Sequence, residues 1–327
     1  MNMRPGRHWK ILLTVIVIGV FIILPYLAPS KYWVSLVEQS FIFGLFAASL
    51  GLLMGYAGMT SLGHAVFFGS SAYVTAVLSV KFGFGGLAAG LWAVLANVVL
   101  ATIVGLATAR MRGVTFMMIT VAFAQIFWGL ALQWQSMTGG DNGIVGVPKP
   151  IMGGLVFEGV SFYYLLLFMF CVCVWLLMRI ASSPFGLALK GIKESESRMR
   201  MLGYNVWLLK IVSVVVSACF ASIAGVMWVW FNSFVGTDDL AVMTSAKAII
   251  MVLIGGVGTI IGPILGAFAI VFGQDYVSGY TDRWLMVMGV LYIVVVLYMK
   301  GGMVGIIRKL YLKGRSFSGE ASKDTPK

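Results

Sequence analysis

The chain has 327 residues, of which 60% are hydrophobic and 10% are charged, and its formal net charge is +12. About a quarter of the residues in a soluble domain are charged, so this composition excludes an ordinary soluble protein and predicts a membrane protein. The basic excess does not predict nucleic-acid binding, because the lysines and arginines are concentrated in segments that would flank one side of a membrane.

Apolar runs of about 20 residues, the length that a helix needs to cross a bilayer, predict an all-α, polytopic protein with about ten transmembrane helices. Glycines interrupt the third, eighth and ninth runs, so these spans are predicted to be broken or re-entrant, and totals of nine or eleven stay open. The predicted spans are residues 10–28, 34–56, 62–80, 86–108, 113–135, 159–178, 209–231, 244–260, 262–277 and 284–305.

The distribution of charge predicts the orientation of these spans. Eighteen of the 23 lysines and arginines fall in segments on one side with four acidic residues, whereas five basic and seven acidic residues fall on the other. Because lysine and arginine are enriched on the cytoplasmic side of membrane proteins, both termini and residues 181–208 are predicted to face the cytoplasm, and residues 136–158 the outside. Residues 1–312 would form one membrane domain, and residues 313–327 a disordered cytoplasmic tail.

Between the sixth and seventh spans lies a polar, basic segment, Ser182–Lys210. Ser183 is a suitable N-cap, Pro184 occupies a favourable first helical position, and Gly203 can end a helix in the left-handed conformation. This pattern predicts a hairpin of two short helices, residues 181–208, that leaves the bilayer.

The apolar side chains of this hairpin predict a contact surface. Phe185, Leu189 and Ile192 follow the i, i+4, i+7 spacing of one helical face. Such a face either packs on the hairpin's own partner helix or contacts another protein, with Glu196 and Arg200 as polar contacts at its edge.

Two glycine-rich segments, Gly55–Gly69 and Gly255–Gly266, have similar glycine spacing. Interrupted spans at corresponding positions of two halves indicate an internal repeat around a transport path, but glycines equally allow close packing between helices. His64 is either a hydrogen-bonded structural residue or a substrate contact. The candidate residues of the translocation path are Ser61, Gly63, His64, Gly255, Gly258, Gly262 and Pro263.

A further glycine-rich segment lies in the loop that is predicted to be outside. Its glycines permit backbone conformations that are closed to other residues. The segment is therefore either a tight turn between spans or a loop that docks a partner or closes a gate. Its residues are Thr138, Gly139, Gly140, Asp141, Asn142 and Gly143.

The sequence predicts no catalytic, metal or cofactor site, and so no enzyme. It has no Gly-x-x-x-x-Gly-Lys-Ser/Thr loop to bind nucleotide phosphates, and its two histidines, His8 and His64, cannot form a histidine-based metal cluster. No span carries closely spaced carboxylates. Glu38, near the outer end of the second span, is either a functional group within the membrane or a solvated side chain at its interface.

Five segments of the chain form a recognisable series in order and spacing. They are Ser61–Gly69, Arg112–Phe116, Thr138–Gly143, the hairpin at 184–205, and Gly255–Gly266. Together they resemble the LivM-type permease subunits of branched-chain amino acid ABC importers, over residues 35 to 310. The sequence departs from the family pattern at Thr115, where an aromatic residue is usual, and at Arg198–Met199, where two alanines are common.

The resemblance implies a permease subunit in the bacterial inner membrane that carries branched-chain or other apolar amino acids. Its implied partners are separate ATP-binding subunits, a second related permease subunit, a periplasmic substrate-binding protein and membrane lipid, with no nucleic acid. Alternatives are a urea or short-amide permease of the same family, and a stand-alone channel or secondary transporter. The residues implied in coupling to the ATP-binding subunits are Phe185, Leu189, Ile192, Glu196, Arg200 and Gly203.

Overall fold

The computed structural model describes residues 19–27, 30–152 and 155–281, and nine isolated positions between 283 and 305. Six helices in this part of the chain are long and apolar enough to cross a membrane, and two shorter apolar helices accompany them. The predicted all-α, polytopic membrane protein is confirmed, and the count of ten spans is approximate.

The helices alternate with short connections. Residues 19–27 are helical (α1). The helices that follow are α2 Lys31–Tyr56, α3 Ala65–Val80, α4 Gly86–Thr108, α5 Gly113–Gln133, α6 Gln135–Thr138, α7 Val160–Ser182, α8 Pro184–Glu194, α9 Glu196–Met201, α10 Val206–Asn232, α11 Val242–Gly255 and α12 Ile261–Ser278. Short 3-10 turns occupy Gly140–Asn142 and Thr237–Leu240, and the strands are β1 Ile144–Val145, β2 Ile151–Met152, β3 Leu155–Val156 and β4 Phe234–Val235.

Eight of the predicted spans correspond to helices α2 to α5, α7 and α10 to α12, with boundaries that differ by a few residues. The span predicted at 86–108 matches α4 at both ends. The first span is described only over residues 19–27, and the tenth only at isolated positions. The tail at 313–327 lies outside the described residues.

Helix α2 is the centre of the membrane domain. In its most apolar stretch 94% of the residues are buried, against 22% in α5. It packs against α7, α10, α11 and α12, and the small side chains of Ala47, Ala48 and Gly51 are fully or almost fully buried along it. Small residues let membrane helices approach closely, because hydrophobic exclusion from water does not drive their association within lipid.

Residues that the charge pattern assigned to different sides lie at opposite ends of the molecule. At one end, Arg112 and Lys210 contact Glu196 of the hairpin. At the other end, the Nζ of Lys81 donates a hydrogen bond to the carbonyl of Ser136, and β1 pairs with β4 in antiparallel register. The polar connections are therefore separated as predicted, while the assignment of the hairpin end to the cytoplasm stays a prediction.

Cysteine labelling in intact cells tests this orientation. The variants Ser136→Cys and Ser197→Cys, both at exposed positions, are made in a background in which Cys171, Cys173 and Cys219 are replaced by serine. A membrane-impermeant maleimide should modify only position 136 in intact cells, and both positions after permeabilisation. Modification of position 197 in intact cells would reverse the predicted topology.

Candidate functional site

The hairpin consists of α8 and α9, and both begin as the sequence predicts. The hydroxyl of Ser183 accepts a hydrogen bond from the backbone N–H of Gly186, and Pro184 is the first helical residue of α8. Ser195 caps α9 in the same way by accepting from the N–H of Arg198 at 3.4 Å. Each cap satisfies a backbone donor that has no partner within its helix.

The end of α9 is fixed by Gly203, which has a φ of +84°. Its N–H donates to the carbonyl of Arg200 at 3.0 Å, and the N–H of Tyr204 donates to that of Met199 at 3.1 Å. These two bonds form a Schellman motif, which requires the left-handed conformation that glycine adopts without strain. The predicted stop is confirmed, and its role in the structure is to end the hairpin.

The predicted apolar face of the hairpin packs on the protein's own membrane domain. Leu189 and Ile192 are 0% and 3% exposed, and Phe185 is partly buried against the same core. The apolar side chains that protrude are instead Leu187 and Met201, at 64% and 81% exposure, with Leu202 beside them. The surface that a partner can contact is therefore not the one that helical periodicity selected.

Glu196 holds the hairpin to two other elements through ion pairs. Its carboxylate contacts the guanidinium of Arg112, just before α5, and the ammonium of Lys210 in α10. Arg200, one turn along α9, lies 3.7 Å away. The side chain of Lys210 is 3% exposed and that of Glu196 14%, so this pair is screened little by water. Glu196 is therefore engaged within the chain, although the sequence analysis placed it at a partner's surface.

A second connection joins the hairpin to the end of α2. The Nζ of Lys193 donates a hydrogen bond of 2.9 Å to the carbonyl of Gly55, and the ammonium of Lys190 lies 4.7 Å from the ring centroid of Tyr56. The last carbonyls of a helix have no partner within it, so Lys193 satisfies one of those at the end of α2. Neither lysine had been singled out from the sequence.

The two glycine-rich segments meet at this same point. A Cβ atom on Gly55 would lie 2.8 Å from the backbone nitrogen of Gly258, and one on Gly51 would lie 2.7 Å from the Cγ of Pro263. Such short distances leave no room for a side chain, so glycine is required for the helices to touch. This contact favours the close-packing interpretation at these positions.

Most of the candidate path residues lie in the packed interior. Ser61, Gly63, His64, Gly255, Gly262 and Pro263 are buried, and Gly258 is partly exposed.

His64 is fully buried, and its Nε2 lies 2.9 Å from the hydroxyl of Ser49. Its ring stacks on that of Phe46 with a centroid distance of 5.5 Å. The next residue, Ala65, donates its N–H to the hydroxyl of Ser245 in α11 at 2.8 Å. These contacts join α2, α3 and α11 and support the structural interpretation of His64.

The external glycine-rich segment is a compact turn. Gly139, Gly140 and Gly143 all have positive φ values, of +77°, +62° and +66°. The hydroxyl of Thr138 donates to the carbonyl of Ala131 and accepts from the N–H of Gly140. Asp141 and Asn142 are exposed. The glycines therefore shape the turn, and only these two polar side chains are presented to a partner.

Asp141 shares a small outer recess of about 200 Å³ with Asp238 and Asp239. Burial raises the pKa of Asp239 to about 6, although hydrogen bonds from the N–H of Gly236 and the indole N–H of Trp228 oppose the rise. Because Asp239 is held by these two donors, the recess is part of the scaffold that closes the outer end of α10.

The described residues contain no cluster of three or more histidine, cysteine, aspartate or glutamate side chains that could hold a metal ion.

Comparison with known proteins identifies the family of the chain. Residues 32–297 match the family model described as a branched-chain amino acid transport system permease component. The chain belongs to this family. It is 27% identical over 320 residues to the high-affinity branched-chain amino acid transport system permease protein LivM of Escherichia coli K12, covering 89% of this chain and 74% of that protein.

Two further relatives carry similar names. LivM of Salmonella typhimurium is 26% identical over 316 residues, covering 89% of this chain and 74% of the relative. A probable branched-chain amino acid transport permease protein LivM of Methanocaldococcus jannaschii is 24% identical over 181 residues, covering 50% of this chain and 52% of the relative. No solved structure was found to match the chain. The protein is a multi-pass membrane permease of this family.

The ion pair between Glu196 and Lys210 generates a stability prediction. Glu196→Gln leaves the buried ammonium of Lys210 unpaired and should destabilise the protein by on the order of 3 kcal/mol. The double variant Glu196→Gln with Lys210→Met should recover much of this loss, because it removes the buried charge as well. Thermal unfolding in detergent measures both, with Arg198→Ala, at an exposed position, as the control. An unchanged midpoint in Glu196→Gln would show that the ion pair does not hold the hairpin.

Proposed function

We propose that this protein is the membrane-spanning permease subunit of an ATP-driven importer of branched-chain or other apolar amino acids in the inner membrane. The family model and the printed names of the relatives support the substrate class. The observation that carries the proposal is the hairpin, a rigidly capped structure outside the spans that presents exposed apolar side chains and is bonded to the core helix α2.

The energy for uphill transport comes from another subunit. A transporter must be given a free-energy difference between its inward- and outward-facing states. The sequence has no phosphate-binding loop of the Gly-x-x-x-x-Gly-Lys-Ser/Thr type. Two ATP-binding subunits therefore supply the difference, ATP hydrolysis belongs to them, and this subunit is not an enzyme.

The surface that contacts the ATP-binding subunits consists of Leu187, Met201 and Leu202. These side chains are 64%, 81% and 67% exposed, and Arg200 lies beside them with a 62% exposed side chain. Exposed apolar side chains with an arginine at their edge are typical of the small group of residues that dominates a protein interface. The other candidate residues of the hairpin support this surface from beneath and shape it. They are Phe185, Leu189, Ile192, Glu196 and Gly203.

The remaining partners follow from the other surfaces. Helix α4 exposes only apolar residues to lipid, including Leu91, Trp92 and Leu95. A second related permease subunit completes the transport path. A periplasmic binding protein delivers the substrate to the outer end, where Asp141 and Asn142 are exposed for docking.

A stand-alone channel or a secondary transporter would not require the hairpin, and urea or a short amide remains the alternative substrate class.

Substitution of the exposed hairpin residues tests this proposed function. The tagged protein should co-purify with ATP-binding subunits and support leucine uptake in proteoliposomes when the loaded binding protein is present. Leu187→Glu with Met201→Glu should abolish uptake and the stimulation of ATPase activity, because a charge replaces each apolar contact. Neither side chain is buried within the chain, so the unfolding midpoint should be unchanged.

The control is the pair Leu91→Ala with Leu95→Ala, at exposed positions on the lipid-facing surface of α4. This control should keep both activities. Full stimulation and full uptake in the hairpin double variant would reject the coupling surface. Co-purification without leucine uptake, but with uptake of urea or a short amide, would retain the class of transporter and change its substrate.

A further inference from the structure

An outer cavity of about 530 Å³ lies among the ends of α1, α2, α7 and α10. This volume falls within the range of about 300 to 1,000 Å³ that is typical of small-molecule sites. Its walls combine charged, hydroxyl and apolar side chains. They are Pro25, Ser30, Lys31, Val34, Ser35, Glu38, Lys149, Gly159, Val160, Phe162 and Phe231.

One face of α2 supplies the polar wall of this cavity. Lys31, Val34, Ser35 and Glu38 have the i, i+3, i+4, i+7 spacing that places side chains on one side of a helix. Glu38 is only 7% exposed, and its side chain lines this cavity.

The carboxylate of Glu38 has no partner among the residues that the structure describes. All three ion pairs in that part of the chain involve Glu196, and no hydrogen bond to Glu38 occurs there. A carboxylate within a membrane domain is a functional candidate. A cationic group that enters the cavity would satisfy this carboxylate.

The same cavity also contains a positive charge and an apolar surface. The ammonium of Lys149 lies 5.3 Å from the ring centroid of Phe162, and Phe162 is 3% exposed. Lys149 and Glu38 line the same cavity, and no salt bridge joins them among the residues that the structure describes. Phe162, Val34 and Phe231 add apolar contacts to the wall of this cavity.

We propose that this outer cavity binds a zwitterionic amino acid with a short apolar side chain. The α-ammonium pairs with Glu38, the α-carboxylate with Lys149, and the side chain packs on Phe162 and Val34. Lys31 adds positive charge at the rim. This inference rests on the proposed function for its choice of amino acid, and it adds a binding site on the permease itself, independent of the binding protein.

Titration of the full-length protein in lipid nanodiscs, without binding protein, tests the site. The probes are L-leucine, 4-methylvalerate, which lacks the ammonium group, and 3-methylbutylamine, which lacks the carboxylate. Glu38→Gln and Lys149→Met should each weaken leucine binding by about tenfold or more. Glu38→Gln should not further weaken the binding of 4-methylvalerate, because this probe lacks the ammonium group that pairs with Glu38. Lys149→Met should not further weaken the binding of 3-methylbutylamine, because this probe lacks the carboxylate that pairs with Lys149.

Matched controls carry the same chemical changes on the same side of the protein. Glu158→Gln and Lys81→Met alter exposed outer residues that do not line the cavity, and both should bind leucine as the wild type does. If Glu38→Gln lowers the unfolding midpoint, Lys149→Met carries the test, because Lys149 is only partly buried.

Two results would overturn the site. One is unchanged leucine binding in both cavity variants. The other is a wild-type protein that binds none of L-leucine, L-alanine and L-serine. Either result alongside normal leucine uptake by the assembled transporter would leave the proposed function standing. Binding of alanine or serine that depends on Glu38, without leucine uptake, would keep the cavity and reject the proposed substrate.

Discussion

The contact on which the rest of the structure depends joins the hairpin to the carboxyl end of α2. The ammonium of Lys193 donates to the carbonyl of Gly55, and the α-carbon of the same glycine abuts the backbone of Gly258. The last carbonyls of a helix have no hydrogen-bond partner within it. Here that partner comes from the hairpin, so the hairpin, the core helix and the second glycine-rich segment are physically continuous.

This continuity explains why the glycines and the charged hairpin occur in one protein. Packed helices respond to a push as rigid bodies, because a close-packed interior has little free volume in which to deform. Helix α2 contacts α7, α10, α11 and α12 as well as α8 of the hairpin, and the pair of Glu196 with Lys210 ties the hairpin to α10. A displacement of the hairpin by an ATP-binding subunit would therefore move α2 and α10 together.

Local chemistry made the hairpin predictable, and tertiary contacts decided what its residues do. The cap at Ser183 and the helix end at Gly203 depend only on residues a few positions away, so both can be predicted from the local sequence. The burial of Leu189 and the pairing of Glu196 with Arg112 depend on segments remote in the chain. Periodicity identifies an apolar face but does not say whether that face meets the same chain or a partner.

The same distinction applies to the membrane interior. The similar glycine spacing of the two segments was visible in the sequence, but the contact between Gly55 and Gly258 was not. Similar spacing does not say whether two segments touch in the folded protein. Glu38 had two open interpretations, and the structure places it in the wall of the outer cavity together with Lys149 and Phe162. Polar residues within spans are rare enough to be noticed, yet their partners appear only when the helices are assembled.

The most direct test of this account is the number of substrate molecules taken up per ATP hydrolysed by the reconstituted transporter when Lys193 is replaced by methionine. The account predicts that Lys193→Met keeps the ATPase activity stimulated by the loaded binding protein but lowers this ratio severalfold, because the hairpin is no longer bonded to α2. Arg198→Met, which removes an exposed charge from the same hairpin, should keep the wild-type ratio. An unchanged ratio in Lys193→Met would contradict the account.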